Sequence, residues 1–426
     1  MNLVPVAGID IGKYFSEMAV LSPSNTIVTR IKILHNVFSI DKAIEMLQKV
    51  EKDFAVRPVV VMESTGHYHK LLFYSLCNAG YDVSIINPIQ TDSIKNLGIR
   101  KVKSDKADVR KIALLYRFQK LKTTNIPDED LECLRSLCRQ YYNLCDELTA
   151  YKNRLIGILD QLMLNFTEVF KDACCKTSLA ILEKFPSPTH ILEADKVILI
   201  ELIQKTAHQS VTWATKKYEL LMCKAKEFEP LSLSNPANLA MLQVNISMIS
   251  SLRQSIKKVL AAIIELLMVD SNKDLPVLSI TIDLLCSIPG IGLMTAVTIL
   301  SEVGNFSAFS KPSKLVAFCG IDPSVNQSGQ FEGTENKMSK RGSRLLRRVL
   351  YTTALTSIGK KRNGKESNPV LYEFYRRKCT SKRKNVALGA VMHKLVFIIF
   401  AVLRDKKPFE LRTPEEHAKM LNKKAS

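Results

Sequence analysis

Apolar residues open the chain in short runs. VPVAGIDIG (4–12) reads as a strand that runs out at Asp10, and FSEMAVLS and TIVTRIKIL follow with partial alternation, as in a meander. Ile40 to Phe54 repeats apolar positions at helical spacing, and PVVVM (58–62) is a buried-strand run ending at Glu63. His67 to Ala79 reads as a helix and Tyr81 to Ile86 as a further strand. Strands and helices in this order predict an α/β domain with a mixed sheet. Beyond Pro127 the period changes. Leu131, Leu134, Leu137, Tyr141, Leu144, Leu148, Tyr151 and Leu155 recur at three- and four-residue steps within one helical pattern, Glu129 to Leu164. That is a coiled-coil-like seam, and a seam calls for a partner helix. Residues 177–230 predict a small helical bundle with Trp213 as a core anchor, and 236–269 a second long helix. From about Leu275 the pattern is again mostly helical. The boundaries predicted are 1–125, 126–274 and 275–426.

Charge changes this picture more than overall composition does. The chain has 426 residues and a formal net charge of +20. Residues 1–120 carry 17 basic and 11 acidic side chains, 121–330 carry 20 and 22, and 331–426 carry 24 and 8. A strongly basic tail on a neutral middle points to nucleic acid, with an anionic membrane surface as the competing partner. Asp10 and Glu17 stand where a secretory signal would be apolar, so none is expected. The apolar run Val386 to Leu403 is interrupted by His393 and Lys394 and reads as a buried helix, with no membrane span. Ten cysteines without a CxxC pair or zinc spacing fit a reducing cytoplasm.

The candidate chemistry starts with GIRKVKSDKADVRKIALL (98–115), where Asp105 and Asp108 lie three residues apart among six cations. Residues i and i+3 share a helix face, and two close carboxylates call for a positive charge such as a divalent metal. The plainer reading is a solvated helix start, where acids are favourable. Asp10 and Glu63 both sit where an apolar strand ends, and sites in open α/β sheets gather outside strand ends. Four carboxylates can hold Mg2+ for phosphodiester chemistry. His67 and His69 follow Glu63 and read as the start of a helix; Thr65 and Gly66 shape the turn before it. Farther on, IPGIG places Gly290 and Gly292 between two apolar helical patterns, either as a phosphate-binding helix–hairpin–helix or as a plain packing turn. A polar, exposed loop holds Ser328, and a serine hydroxyl can attack a phosphodiester to form a phosphoserine link. Lys337, Lys340, Arg341, Arg344, Arg347 and Arg348 come next as candidate phosphate contacts, and RRKCTSKRKN (376–385) adds more cations.

With these residues in view, the chain resembles the insertion-sequence transposases that join an Asp-Glu-Asp-Asp RuvC-like domain to a C-terminal serine domain, the family of bridge-RNA-guided recombinases and Piv-type invertases. The resemblance rests on GIDIGK, VVMESTGHY and KVKSDKADVRKIA in front, and on IPGIGLMTAVTILSEVG, LVAFCGIDPSVNQSG and MSKRGSRLLRRVLY behind. It implies an RNase H-like fold for the first domain, with Asp10, Glu63, Asp105 and Asp108 holding Mg2+ and Ser328 as nucleophile. It implies a coiled coil that makes a homo-oligomer, dimer or tetramer, in which the acids of one subunit meet the serine of another. It also implies DNA ends and target as substrates, a structured guide RNA, and a place at the bacterial nucleoid. Two other functions remain open on the residues alone: a metal-dependent RuvC-like nuclease without a serine nucleophile, and a non-catalytic nucleic-acid-binding protein.

Overall fold

The computed structural model describes residues 4–64, 66–86, 105–118, 121, 123–124, 129–271, 277–323, 327–328, 331–332, 337–361, 363–413 and 416; at 105–107, 327–328 and 331–332 it describes the backbone alone. The chain divides into two compact units, residues 1–127 and 128–426.

The first unit is built on a five-stranded mixed sheet. Its strands are β1 (Val6–Ile11), β2 (Phe15–Leu21), β3 (Ile27–Leu34), β4 (Val59–Glu63) and β5 (Val83–Ile86), in the order β3-β2-β1-β4-β5. β1 pairs antiparallel with β2, and β2 with β3, as a meander does; β1 pairs parallel with β4, and β4 with β5. This is the mixed α/β sheet that the order of strands and helices predicts. Because side chains alternate across a strand, β1, β2, β4 and β5 each feed two cores. Ala7, Ile9 and Ile11 of β1, with Val60 and Met62 of β4, pack under α1 (Val37–Phe54) and α2 (His69–Asn78). Val6 and Val61 face the other way and pack against Ile112, Ala113 and Leu115 of α3 (Asp105–Phe118). α1 begins cleanly because Asn36 accepts a hydrogen bond from the Ser39 amide at 2.9 Å. Gly8 lets α3 come down onto β1: a Cβ there would lie 2.7 Å from the Ala113 nitrogen and closer still to the Val109 carbonyl.

In the second unit two long helices, α4 (Glu129–Met163) and α10 (Pro236–Ser271), run antiparallel along each other, with Gln161 of α4 beside Asn238 of α10. Each end of this pair carries its own core. At the outer end, Leu155, Leu159, Leu162, Leu242 and Ile246 pack with α5 (Phe166–Val169), α6 (Lys176–Lys184), α7 (Pro188–Leu192), α8 (Lys196–Ala207) and α9 (Val211–Phe228); Trp213 packs against this core. At the inner end, Leu134, Cys138 and Ile263 join the C-terminal helices: α11 (Val277–Cys286), α12 (Leu293–Val303), α13 (Pro312–Cys319), α14 (Arg344–Ile358), α15 (Pro369–Cys379) and α16 (Lys384–Asp405). By length and composition α16 could cross a membrane, yet its apolar residues Leu388, Val391, Leu395, Val396 and Ile399 are buried in this core.

Candidate active site and nucleic-acid interface

Sheet parity places the first two acids. Val6, Gly8 and Asp10 share one face of β1, and Val61 and Glu63 share the same face of β4. The parallel register pairs Ile9 with Met62, so Asp10 and Glu63 stand side by side at the strand ends, on the face that α3 covers. Glu63 is buried and Asp10 half-buried. Asp108 is also buried, in the first turns of α3, and the Lys111 ammonium lies 3.1 Å from its Oδ1. Asp105 is the first residue of α3, and its side chain lies outside the described residues.

Sequence reasoning passes over Glu17. The antiparallel register sets it opposite Asp10, on the same face, and sets Lys32 of β3 opposite Glu17. Like charges directly opposite are unfavourable, and Lys32 brings a positive charge into the same row. The signal was the short turn at Gly12, whose amide bonds the Phe15 carbonyl at 3.1 Å and fixes the register. The donors on this face are carboxylate oxygens, the chemistry a hard divalent ion prefers. Among the described residues no three Asp, Glu, His or Cys side chains are grouped so that they could hold an ion. His69 stands at the start of α2, where burial lowers its pKa and its Nδ1 has no partner among the described residues; His67 is exposed and lies against Tyr68.

Within the loop expected there, Ser328 lies in a small hairpin: β6 (Gln327–Ser328) pairs antiparallel with β7 (Phe331–Glu332), with Ser328 opposite Phe331. Its side chain lies outside the described residues. The cations beyond the hairpin divide into two kinds. Lys337, Lys340, Arg341 and Arg344 are exposed. Arg347 is turned inward, donating from Nη1 to the Gly342 carbonyl at 2.7 Å. Arg348 makes a two-pronged pair with Asp146 of α4 at 2.7 Å and lies 5.0 Å from the Tyr142 ring, and Asp146 raises its pKa further. The start of α14 is held just as firmly. Ser343 caps it, accepting from the Leu346 amide, and donates to Glu302 at 2.9 Å; Arg139 of α4 grips the same buried Glu302 at 2.7 and 3.2 Å. These residues, with Arg344 on the rim, line a polar cleft of about 420 Å3. Of the two turn glycines, Gly290 has a φ of 99° and is packed against Ser357 of α14, whereas Gly292 caps α12 with open space around it.

Both ends of the chain match models of one kind of enzyme. A transposase model of the DEDD IS110 type matches residues 7–164, and the model described as transposase IS116/IS110/IS902 family matches residues 282–375. These define a DNA transposase. The relatives agree: an IS110 uncharacterized 43.6 kDa protein of Streptomyces coelicolor is 23% identical over 341 residues, 79% of each chain. The pilin gene-inverting protein of Moraxella lacunata is 31% identical over 142 residues, 33% of this chain and 42% of that one. The chain belongs to the IS110/IS116/IS902 family of insertion-sequence transposases. Among solved structures, Thermus thermophilus RuvC bound to a Holliday junction is 15% identical with a TM-score of 0.23, covering 28% of this chain and 99% of that one.

Proposed function

We propose that this transposase cuts and rejoins DNA through a covalent link to Ser328. The serine oxygen attacks the phosphorus, the P–O bond to the leaving sugar breaks, and the sugar departs as a hydroxyl that takes up a proton. The serine gives up its own proton as the phosphoserine ester forms. The ester keeps the energy of the broken bond, so a new sugar hydroxyl attacks it, restores a phosphodiester and frees the serine. Asp10, Glu63, Asp105 and Asp108 would hold Mg2+, which when bound offsets the negative charge that builds on the phosphate. Lys337, Lys340, Arg341 and Arg344 bind the backbone on either side of the cut. A structured guide RNA chooses the donor and target, and pairing of subunits brings the acids of one to the serine of another.

The observation that carries this reading is the pair Asp10 and Glu63, side by side on the sheet face that α3 covers, in a chain matching transposase models at both ends. The test is Ser328→Ala. The expected outcome is loss of strand cleavage and of any protein–DNA adduct on a denaturing gel, with DNA binding retained. Cleavage by Ser328→Ala that Asp105→Asn abolishes would replace the proposal with a nuclease acting through its acids alone.

A further inference from the structure

The corner between α15 and α16 is the most concentrated positive surface that the candidate site leaves unused. Arg376, Arg377, Lys378, Lys382, Arg383 and Lys384 fall within nine residues without an acid among them. All but Lys378 are exposed. Within the described structure none of the six is in an ion pair. The matched transposase model stops at residue 375, just short of them.

This is not a loose tail. The Lys382 amide bonds the Lys378 carbonyl at 3.0 Å, and Thr380 Oγ1 donates to the Arg377 carbonyl at 2.7 Å. The amides of Val386 and Ala387 bond the Arg383 carbonyl at 2.9 and 3.0 Å. Leu371 on one side, and Leu388 and Val391 on the other, anchor the corner in the inner core. Three cations also gather on one ring: Lys394, Lys378 and Arg377 lie 4.8, 5.6 and 6.0 Å from the centre of Phe374. The aromatic face eases their mutual repulsion and holds them together. Three further cations stand at the start of α16, whose first turn holds no acid. That end of a helix favours negative charge, so the arrangement works against local stability. An ordered, self-repelling cluster gains what it lacks when a polyanion covers it.

We propose that this corner, Arg376 to Lys384 with Lys394, is a second seat for the phosphate backbone of double-stranded DNA, separate from the cations that come after Ser328. The choice of DNA rests on the reading of the chain as a DNA transposase; the seat itself needs neither Ser328 nor the acids. Its fixed spacing suits a regular duplex, because ordering costs are already met before binding.

The test is binding of a fluorescein-labelled 30-base-pair duplex to the full-length protein across a salt series, without Mg2+ so that no strand is cut. Lys382→Ala/Arg383→Ala/Lys384→Ala should lower the slope of log affinity against log salt by about 2 to 3, at roughly 0.9 per phosphate contact. It should weaken binding at least tenfold at about 150 mM salt, whatever the duplex sequence. Lys382→Arg/Arg383→Lys/Lys384→Arg should keep the wild-type slope. An unchanged slope in the alanine variant, with an unchanged circular dichroism spectrum, overturns the proposal. So does a loss confined to an RNA duplex of the same sequence, and so does failure of the wild-type chain to bind duplex DNA. Cleavage by Ser328→Ala would overturn the serine reading and leave this one standing.

Discussion

In the first unit the candidate acids stand on backbone that regular structure fixes on every side. Asp10 and Glu63 sit at the ends of adjoining strands, and Asp108 sits on a helix that lies against β1 because Gly8 has no side chain. In the second unit the candidate serine stands on a strand two residues long, and precision is found farther along the chain. There the start of α14 is pinned to α4 through Ser343, Glu302 and Arg139, and again through Arg348 and Asp146. One unit holds its chemistry by close packing of backbone, the other by ionic ties, one to the buried Glu302 and one exposed between Arg348 and Asp146. Packing of the first kind fails abruptly when an atom is added, and ties of the second kind fail when a partner is removed.

Three measurements bear on that contrast, and the first has the largest expected effect. Gly8→Val puts methyl groups where the Val109 carbonyl and Ala113 nitrogen lie, and must lift α3 off β1. The expected result is loss of DNA cleavage together with about 1–3 kcal/mol of stability in urea unfolding. Full cleavage by this variant would show that the acids do not depend on the close approach. Next, Glu302→Ala leaves Arg139 and Ser343 without their acceptor. A fully buried pair broken in this way costs about 3–5 kcal/mol. Because the Arg139 side chain is 58% exposed, the expected loss is smaller, about 1–2 kcal/mol. Glu302→Gln should recover part of it, and an unaltered unfolding midpoint in Glu302→Ala would deny the tie any role in holding α14.

The smallest effect is a pH dependence that reads each unit separately. Burial lowers the pKa of His69 in the first unit and of His393 in the second. A folded pKa below the ordinary value of 6.5 means that the unfolded chain takes up a proton first as pH falls. The stabilisation is therefore complete above pH ~6.5 and is lost as pH drops toward the folded pKa. His69→Gln should flatten the fall in melting temperature between pH ~7 and ~5. If it leaves that fall unchanged, His69 is not held neutral in the folded protein.

Much of the first unit was legible because its signals are local. Apolar runs ending in an acid marked β1 and β4, and the helical period marked α1 to within a few residues at each end. The meander of β1 and β2 was legible too, but the register that sets Glu17 opposite Asp10 comes from backbone bonds that no single residue announces. In the second unit the long periodic helices were plain from their seam. The hairpin at Ser328 was read only as an exposed loop because polar, glycine-rich sequence gives no alternation, and its pairing covers only two residues on each side. The roles of Arg347 and Arg348 were hidden for a different reason. A run of cations looks uniform in sequence, and only the approach of Asp146 and the Gly342 carbonyl separates the arginines that brace the fold from those left to solvent.

The long helical pair has a consequence for how such a chain could change over generations. The Leu233 amide bonds the Gln161 carbonyl at 3.0 Å, so the polypeptide leaves α4 and comes back for α10 at nearly the same point in space. What lies between is a closed excursion whose core is shared with the two stems, and the transposase models leave residues 165–281 unmatched. A descendant could shorten, enlarge or exchange that outer lobe while the inner lobe went on folding around the same two stems.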